Sequence, residues 1–386
     1  MKHLTSCTRR VSRLFAASLL IATITAPARA QLVFSFSYGP GIAALFGTDP
    51  ATATKITVGM SDAGAKWSSS LFDPVTLKIM VDLDPALPST AFAAAYAVKT
   101  PTLFTSVKGA LTADSLSATD SSAVASLQPG PKIEAITQDT SFVPIFPAPS
   151  PEIRLGGATT GIWNTTLAVA RPNLKALGLL SGTDGAAGAD GLLTINPAKI
   201  PAFDFTRGDG IGAGMFDFTG IAIHELGHLM GFYSGVDEVD YAGDGAPGNP
   251  ADLSGTAIFS VLDLYRYSPH SLIAPSQPLT GKVNDWRFGP APAAFLPKPY
   301  FSVDSGATDI ADFATGAYHG DGSQTSHFSG GVAAIMAPSF PPGTIGDLTV
   351  IDVKAMDAIG WNIPEPSAAL LLLSTLGFVG ARRRRG

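Results

Sequence analysis

The chain is expected to fold as an α+β protein, and three features of its 386 residues carry that expectation. Val75 to Val81 alternates apolar and polar groups with the period of a half-buried strand. Leu192 to Ile195 is a second short apolar run with strand character. Phe218 to Met230 is apolar enough at helical spacing to describe a helix buried on most sides.

Taken in order, residues 51–72 read as a helix that stops before Asp73 and Pro74. The strand 75–81 follows, and then a helix over Ala91 to Leu111. Pro144 to Pro151 is a Pro-rich linker, and Gly182 to Gly191 is a Gly and Asp loop leading into the strand 192–195. After the apolar helix, Asp237 to Gly255 reads as loop and Leu262 to Tyr267 as strand-like. Asp285 to Pro299 is too Pro-rich for regular structure. The last element places Leu348, Ile351, Ala355, Ala358 and Ile359 at helical spacing and stops at Gly360, before Trp361.

The apolar helix carries His224, Glu225, Leu226, Gly227 and His228, followed by Leu229, Met230 and Gly231, with Asp217 placed as its N-cap. Residues four apart share a helix face, so His224 and His228 can offer imidazoles to one ion with Glu225 beside them. Zn2+ takes neutral imidazole, keeps one position for water in catalytic sites, and lowers the pKa of that water to about 7. Glu225 is then the group placed to take the proton. A buried helix with merely hydrogen-bonded histidines is the competing reading, and the apolar flanks and the following Gly weigh against it.

A catalytic zinc site takes three protein ligands, and the helix supplies two. Gly231 lets the chain turn sharply out of the helix, but Ser234, three residues on, has only a hydroxyl, a poor zinc ligand. Beyond the N-terminal leader the other histidines are His270, His319 and His327. Asp237 is an alternative third ligand, since it lies close in sequence and carboxylates bind zinc. It could equally join Glu238, Asp240 and Asp244 in a loop that binds Ca2+ or faces water. His319, between Tyr318 and Gly320, reads as a turn residue, and His270, after Pro269, as structural.

His327 stands between Ser326 and Phe328, and Ile335, Met336, Ala337 and Pro338 follow it shortly after. Together with the histidine helix and its Gly turn, this spacing resembles that of leishmanolysin-type metzincins. The resemblance implies that His327 is the third ligand and that Met336 is the turn methionine, a packing floor under the metal. It also implies a zincin/metzincin-like catalytic domain: a mixed twisted sheet, a central zinc helix over 217–231, a third-ligand and Met-turn region over 326–338, and a C-terminal helix. In that family a strand ahead of the zinc helix forms the sheet edge along which a peptide lies, a place that would fall to Leu192 to Ile195. The chain departs from leishmanolysin in its missing cysteines and shorter C-terminal region.

Both ends carry export signals. Residues 1–30 hold Lys2, Arg9, Arg10 and Arg13, the apolar run Leu14 to Ala26, and Ala28, Arg29, Ala30 as a cleavage site, so they read as a signal peptide. The apolar run is shorter than the roughly 20 residues of a membrane span. At the other end, residues 364–386 hold Pro364, Glu365 and Pro366, an apolar stretch from Ser367 to Gly380, and Arg382 to Arg385. That order resembles a PEP-CTERM sorting tail of Gram-negative bacteria. It implies an exosortase-type processing enzyme as partner, transient membrane contact through the tail, and a cell-surface, matrix or extracellular location. A C-terminal membrane helix is the competing reading.

Residues 31–363 are long enough for one large domain or two lobes around a cleft. The single Cys lies in the leader, so this segment has no disulfide. Nine of the 25 basic and one of the 31 acidic residues lie in the two ends, which leaves the segment near −14. An acidic surface disfavours nucleic acid as partner and suits an exported, monomeric enzyme. The expected function is a zinc-dependent endopeptidase acting on protein or peptide. The alternative is a secreted matrix or adhesion protein with a structural or inactive zinc site.

Overall fold

The computed structural model describes residues 31–137, 153–155, 161–183, 188–242, 253, 255–272, 283–287 and 298–364. The leader, the linker 144–151, Asp244 and the tail beyond residue 364 lie outside these. Strand β1 (Val33–Tyr38) leads through helices α1 (Pro40–Thr48) and α2 (Pro50–Ser70) to β2 (Thr76–Leu83). Each helix opens on a Pro, whose missing N–H is harmless there, and Asp49 caps α2 by accepting the N–H of Thr52 at 3.0 Å. Next come β3 (Ala93–Ala97), β4 (Lys99–Leu103), α3 (Phe104–Asp114), α4 (Ala118–Ser126), β5 (Ala135–Thr137) and β6 (Ile153–Leu155). The chain continues through α5 (Ile162–Thr165), β7 (Thr166–Ala170), α6 (Arg171–Ala176) and β8 (Gly191–Ile195).

The main sheet has the order β1-β2-β8-β3, with the first three strands parallel and β3 antiparallel to β8. Helix α7 (Phe218–Leu229) lies against β3 and β8 on one side and α2 on the other. Trp67 of α2, fully buried, donates its indole N–H to the carbonyl of Ile223 at 2.9 Å, tying the two helices together. After α7 come α8 (Val236–Ala242), α9 (Pro269–Leu272) and α10 (Val350–Ala358), with one three-stranded sheet and one strand that joins β5 and β6 between them. The result is an α+β protein with several small sheets. Trp361, just past α10, is fully buried and donates to the carbonyl of Met230, so the closing segment is keyed to the end of α7.

Four expectations are corrected. Residues 91–111 are not one helix: β3 and β4 occupy 93–103 and helix begins only at Phe104. Ala-rich propensity is overridden by two ladders, β3 with β8 and β4 with β7, and Pro101 would have broken a helix in any case. Second, Leu192 to Ile195 is not the sheet edge, because β8 is paired on both sides and β3 takes the edge. Third, Asp237 does not open a loop but sits in the first turn of α8, where Ser234 accepts the Val236 N–H at 3.1 Å and acidic groups suit the helix N-terminus. Fourth, only Arg266–Tyr267 of the stretch 262–267 is strand, since Asp263 accepts the N–H groups of Ser260 and Gly235 and winds Leu262–Tyr265 into a 3-10 turn.

Candidate metal centre

Helix α7 starts where sequence places it, but Asp217 makes no side-chain cap. Its carboxylate instead accepts two hydrogen bonds from Arg207, at 3.0 and 2.6 Å, and the Gly346 N–H at 2.9 Å. Within α7, His224 and His228 project from one face, and the structure brings His327 to them from about a hundred residues away. The three Nε2 atoms lie 3.0 Å (His224 to His228), 3.1 Å (His228 to His327) and 3.2 Å (His224 to His327) apart.

The other ring nitrogens decide what these contacts mean. His224 Nδ1 lies 2.7 Å from the carbonyl of Ile335, His228 Nδ1 2.6 Å from that of Phe232, and His327 Nδ1 3.2 Å from that of Gln324. A carbonyl only accepts, so each Nδ1 carries the proton and each Nε2 is left with a lone pair. Three lone pairs pointing at one another repel, and a cation between them turns that repulsion into coordination. Tetrahedral zinc ligands at 2.0–2.1 Å stand about 3.3 Å from each other, close to the spacing here. The donor set therefore fits a zinc ion, with each ring's tautomer already fixed by its carbonyl partner.

Local structure explains why those carbonyls are in place. Gly231, at φ +120°, reverses the chain beyond α7, and the Phe232 N–H returns to the carbonyl of Gly227 at 3.0 Å, which aims the Phe232 carbonyl at His228. Met336 is fully buried against the helix, and a Cβ on Gly227 would fall 2.4 Å from its sulfur, so only Gly admits this floor. Asp352, in the first turn of α10, accepts the N–H groups of Ile335 and Met336 at 2.9 and 3.0 Å and so holds the carbonyl that orients His224. The same carboxylate closes a capping box with Thr349.

Asp237 is not the third ligand in this arrangement. Its carboxylate accepts the Thr325 N–H at 2.5 Å, the Thr325 hydroxyl at 2.9 Å, the Ser326 N–H at 3.1 Å and the Ser326 hydroxyl. It thereby tethers the turn that presents His327. Asp240, the other half of the expected calcium loop, accepts the N–H groups of Tyr318 and His319 and the His319 ring. His319 thus lies outside the cluster, and the side chain of His270 is not among the described parts.

Burial dominates the electrostatics. It holds His224 below its usual range, His228 well below it, and His327 down to about 3, in keeping with neutral rings. Burial also pushes the Glu225 carboxyl up to about 8. Glu225 is only 8% exposed and accepts no hydrogen bond among the described residues. Asp352, Ser326 and the tethering role of Asp237 escaped the sequence reading. Only Asp352 had a local signal, the Thr349 to Asp352 spacing of a capping box.

Comparison with known proteins reaches the tail alone: residues 362–385 match the family described as the PEP-CTERM protein-sorting motif. No curated protein and no solved structure matches the chain. The motif marks an exported protein processed by an exosortase-type enzyme at the cell envelope. No helix among the described residues is long and apolar enough to cross a membrane.

The matched segment begins at Asn362, where the folded body holds it firmly. Asp73 accepts the Asn362 backbone and side-chain N–H groups, both at 3.0 Å, and Asp114 accepts from the same amide at 3.1 Å. Burial raises Asp73 from an ordinary 3.8 to about 7 and Asp114 to about 6. Folded pKa values above the unfolded ones mean that the native state binds these protons more tightly. Their stabilising contribution is thus fully present below about pH 4 and is lost as pH rises through 6 to 7. Relative to Asp73→Asn, the melting temperature of the native chain is expected to rise as pH is lowered from 8 to 5. A difference that stays flat across that range would refute the assignment.

Proposed function

We propose that the chain is an exported zinc-dependent endopeptidase. The observation that carries this reading is the convergence of three Nε2 lone pairs, with a buried carboxylate, Glu225, next in sequence to His224 and accepting no hydrogen bond among the described residues. His224, His228 and His327 would hold the ion. Bound zinc supplies a Lewis acid and lowers the pKa of a water to about 7. Glu225, next to His224 on α7, takes the proton of the attacking water and passes it to the leaving amine. The fixed Nδ1 partners keep the three rings from turning.

The structural alternative, a matrix protein with a merely architectural ion, gives no reason to bury an unpaired carboxylate at this point. The fold supports the same reading. Helix α7 packed against a mixed sheet, Met336 packed against Gly227 of that helix and α10 closing the chain are consistent with a metzincin-like domain, and Ser326, His327 and Phe328 resemble the third-ligand step of leishmanolysin-type enzymes. Strand β3 has no partner on its outer side among the described residues, so its backbone can pair with an extended peptide.

The test is digestion of an unstructured protein by the purified full chain, with and without a chelator. Cleavage that is lost on chelation and returns with added Zn2+ is the expected result. A folded, zinc-loaded chain that cleaves nothing would favour the architectural site.

A further inference from the structure

We propose that Lys99 selects the substrate, favouring a carboxylate close to the scissile bond; this rests on the endopeptidase reading above. His224 and His327 are 9% and 8% exposed, whereas His228 is the one ligand candidate that is half-buried. The His228 side is the most exposed part of the cluster.

Lys99 stands on that side. Its ammonium lies 4.2 Å from the centre of the Tyr233 ring, and Tyr233 sits in the turn that leaves α7 just beyond Gly231. Phe232, the residue before Tyr233, holds His228 through its carbonyl at 2.6 Å, so the ammonium sits at the His228 end of α7. Lys99 makes no ion pair among the described residues. A cation with no anion to answer it, at the most exposed side of a buried centre, is a receptor for a ligand anion.

The cation is also held in place. Lys99 opens β4 in register with Ala170 of β7, and the preceding Val98 donates to the carbonyl of Asp190 at 3.0 Å and accepts the Arg171 N–H at 2.8 Å. The Tyr233 ring that carries the ammonium is 7% exposed, and its hydroxyl donates to the carbonyl of Ala168. A ring contact occupies one face of the ammonium and leaves its other N–H groups free to donate. Lys99 lies two residues past the end of edge strand β3, or about 7 Å at strand rise, so a peptide paired along β3 brings its side chains within reach of the charge.

The test uses the zinc-loaded full chain and alanine-based hexapeptides, acetylated and amidated, that carry one Glu, Gln or Lys at successive positions. A parallel set has a free C-terminal carboxylate and no acidic side chain. At one position near the cut, kcat/KM for Glu is expected to exceed that for Gln by about fivefold, the size of one partly exposed ion pair, and to lose that lead in high salt. Lys99→Arg should keep the preference, Lys99→Ala should abolish it, and Lys99→Glu should turn it toward the Lys peptide, all with wild-type zinc content. A preference confined to the free-terminus set would assign the carboxylate to the chain end instead of a side chain. Equal handling of every charge, or a Glu preference that survives Lys99→Ala, overturns the proposal.

Peptide affinity for the zinc-loaded Glu225→Gln chain reads the same preference without turnover. Selective binding without cleavage by the unaltered chain would therefore sink the endopeptidase reading and leave Lys99 standing, and unselective cleavage would do the reverse.

Discussion

Replacing Glu225 by Gln is expected to lower turnover of an unstructured protein by about 10²–10⁴-fold, the usual worth of a general base, while the chain still binds one zinc ion. The two halves of this outcome have separate causes. The three imidazoles and the carbonyls that orient them are untouched by the change, so metal affinity should hold. The amide cannot accept a proton, so the chemical step should fail. Stability is expected to hold or rise, because Gln replaces a carboxyl that burial alone pushes up to about 8 with a neutral group of the same shape. Zinc content, melting temperature and proteolysis measured on one preparation check all three. Loss of zinc together with activity would mean that Glu225 helps hold the ion, and unchanged activity would remove it from the chemistry.

His327→Ala is expected to produce the largest loss of metal affinity of any single change outside α7, because it removes one of three nitrogen donors and leaves the helix pair alone. Asp237→Asn should have a smaller effect, roughly 10–100-fold, as expected for a group that orients a ligand without touching the ion. Its carboxylate organises the turn through four hydrogen bonds from Thr325 and Ser326, and the amide keeps the shape but can accept fewer of them. Zinc titration against a competing chelator ranks the two. An order reversed, with Asp237→Asn the more damaging, would return the carboxylate to the ligand set and displace His327.

What could be read from sequence follows from how local each feature is. The histidine helix was legible because its apolar flanks, its paired histidines and Gly231 all lie within fifteen residues, where period and spacing act directly. Met336 and His327 were visible only through their resemblance to a known spacing, since nothing near them requires a metal. Strand β3 was misread because alanines favour helix until a neighbour strand offers a ladder, and that neighbour, β8, is almost a hundred residues away. The tether from Asp237 to Ser326 was illegible for the same reason. A carboxylate in an acidic stretch looks solvated unless the N–H groups it will meet are known, and these come from 88 and 89 residues downstream.

The distance in sequence between His228 and His327 has a further consequence. An ion shared by them closes a loop of 99 residues. In the chain-entropy picture a cross-link of that span is worth about 4–5 kcal/mol, the contribution of a long-range disulfide. The segment 31–363 contains no cysteine with which to make one. Outside the cell its persistence would then be insensitive to thiols and governed by the local supply of free metal, so that a shortage of the ion would loosen the molecule.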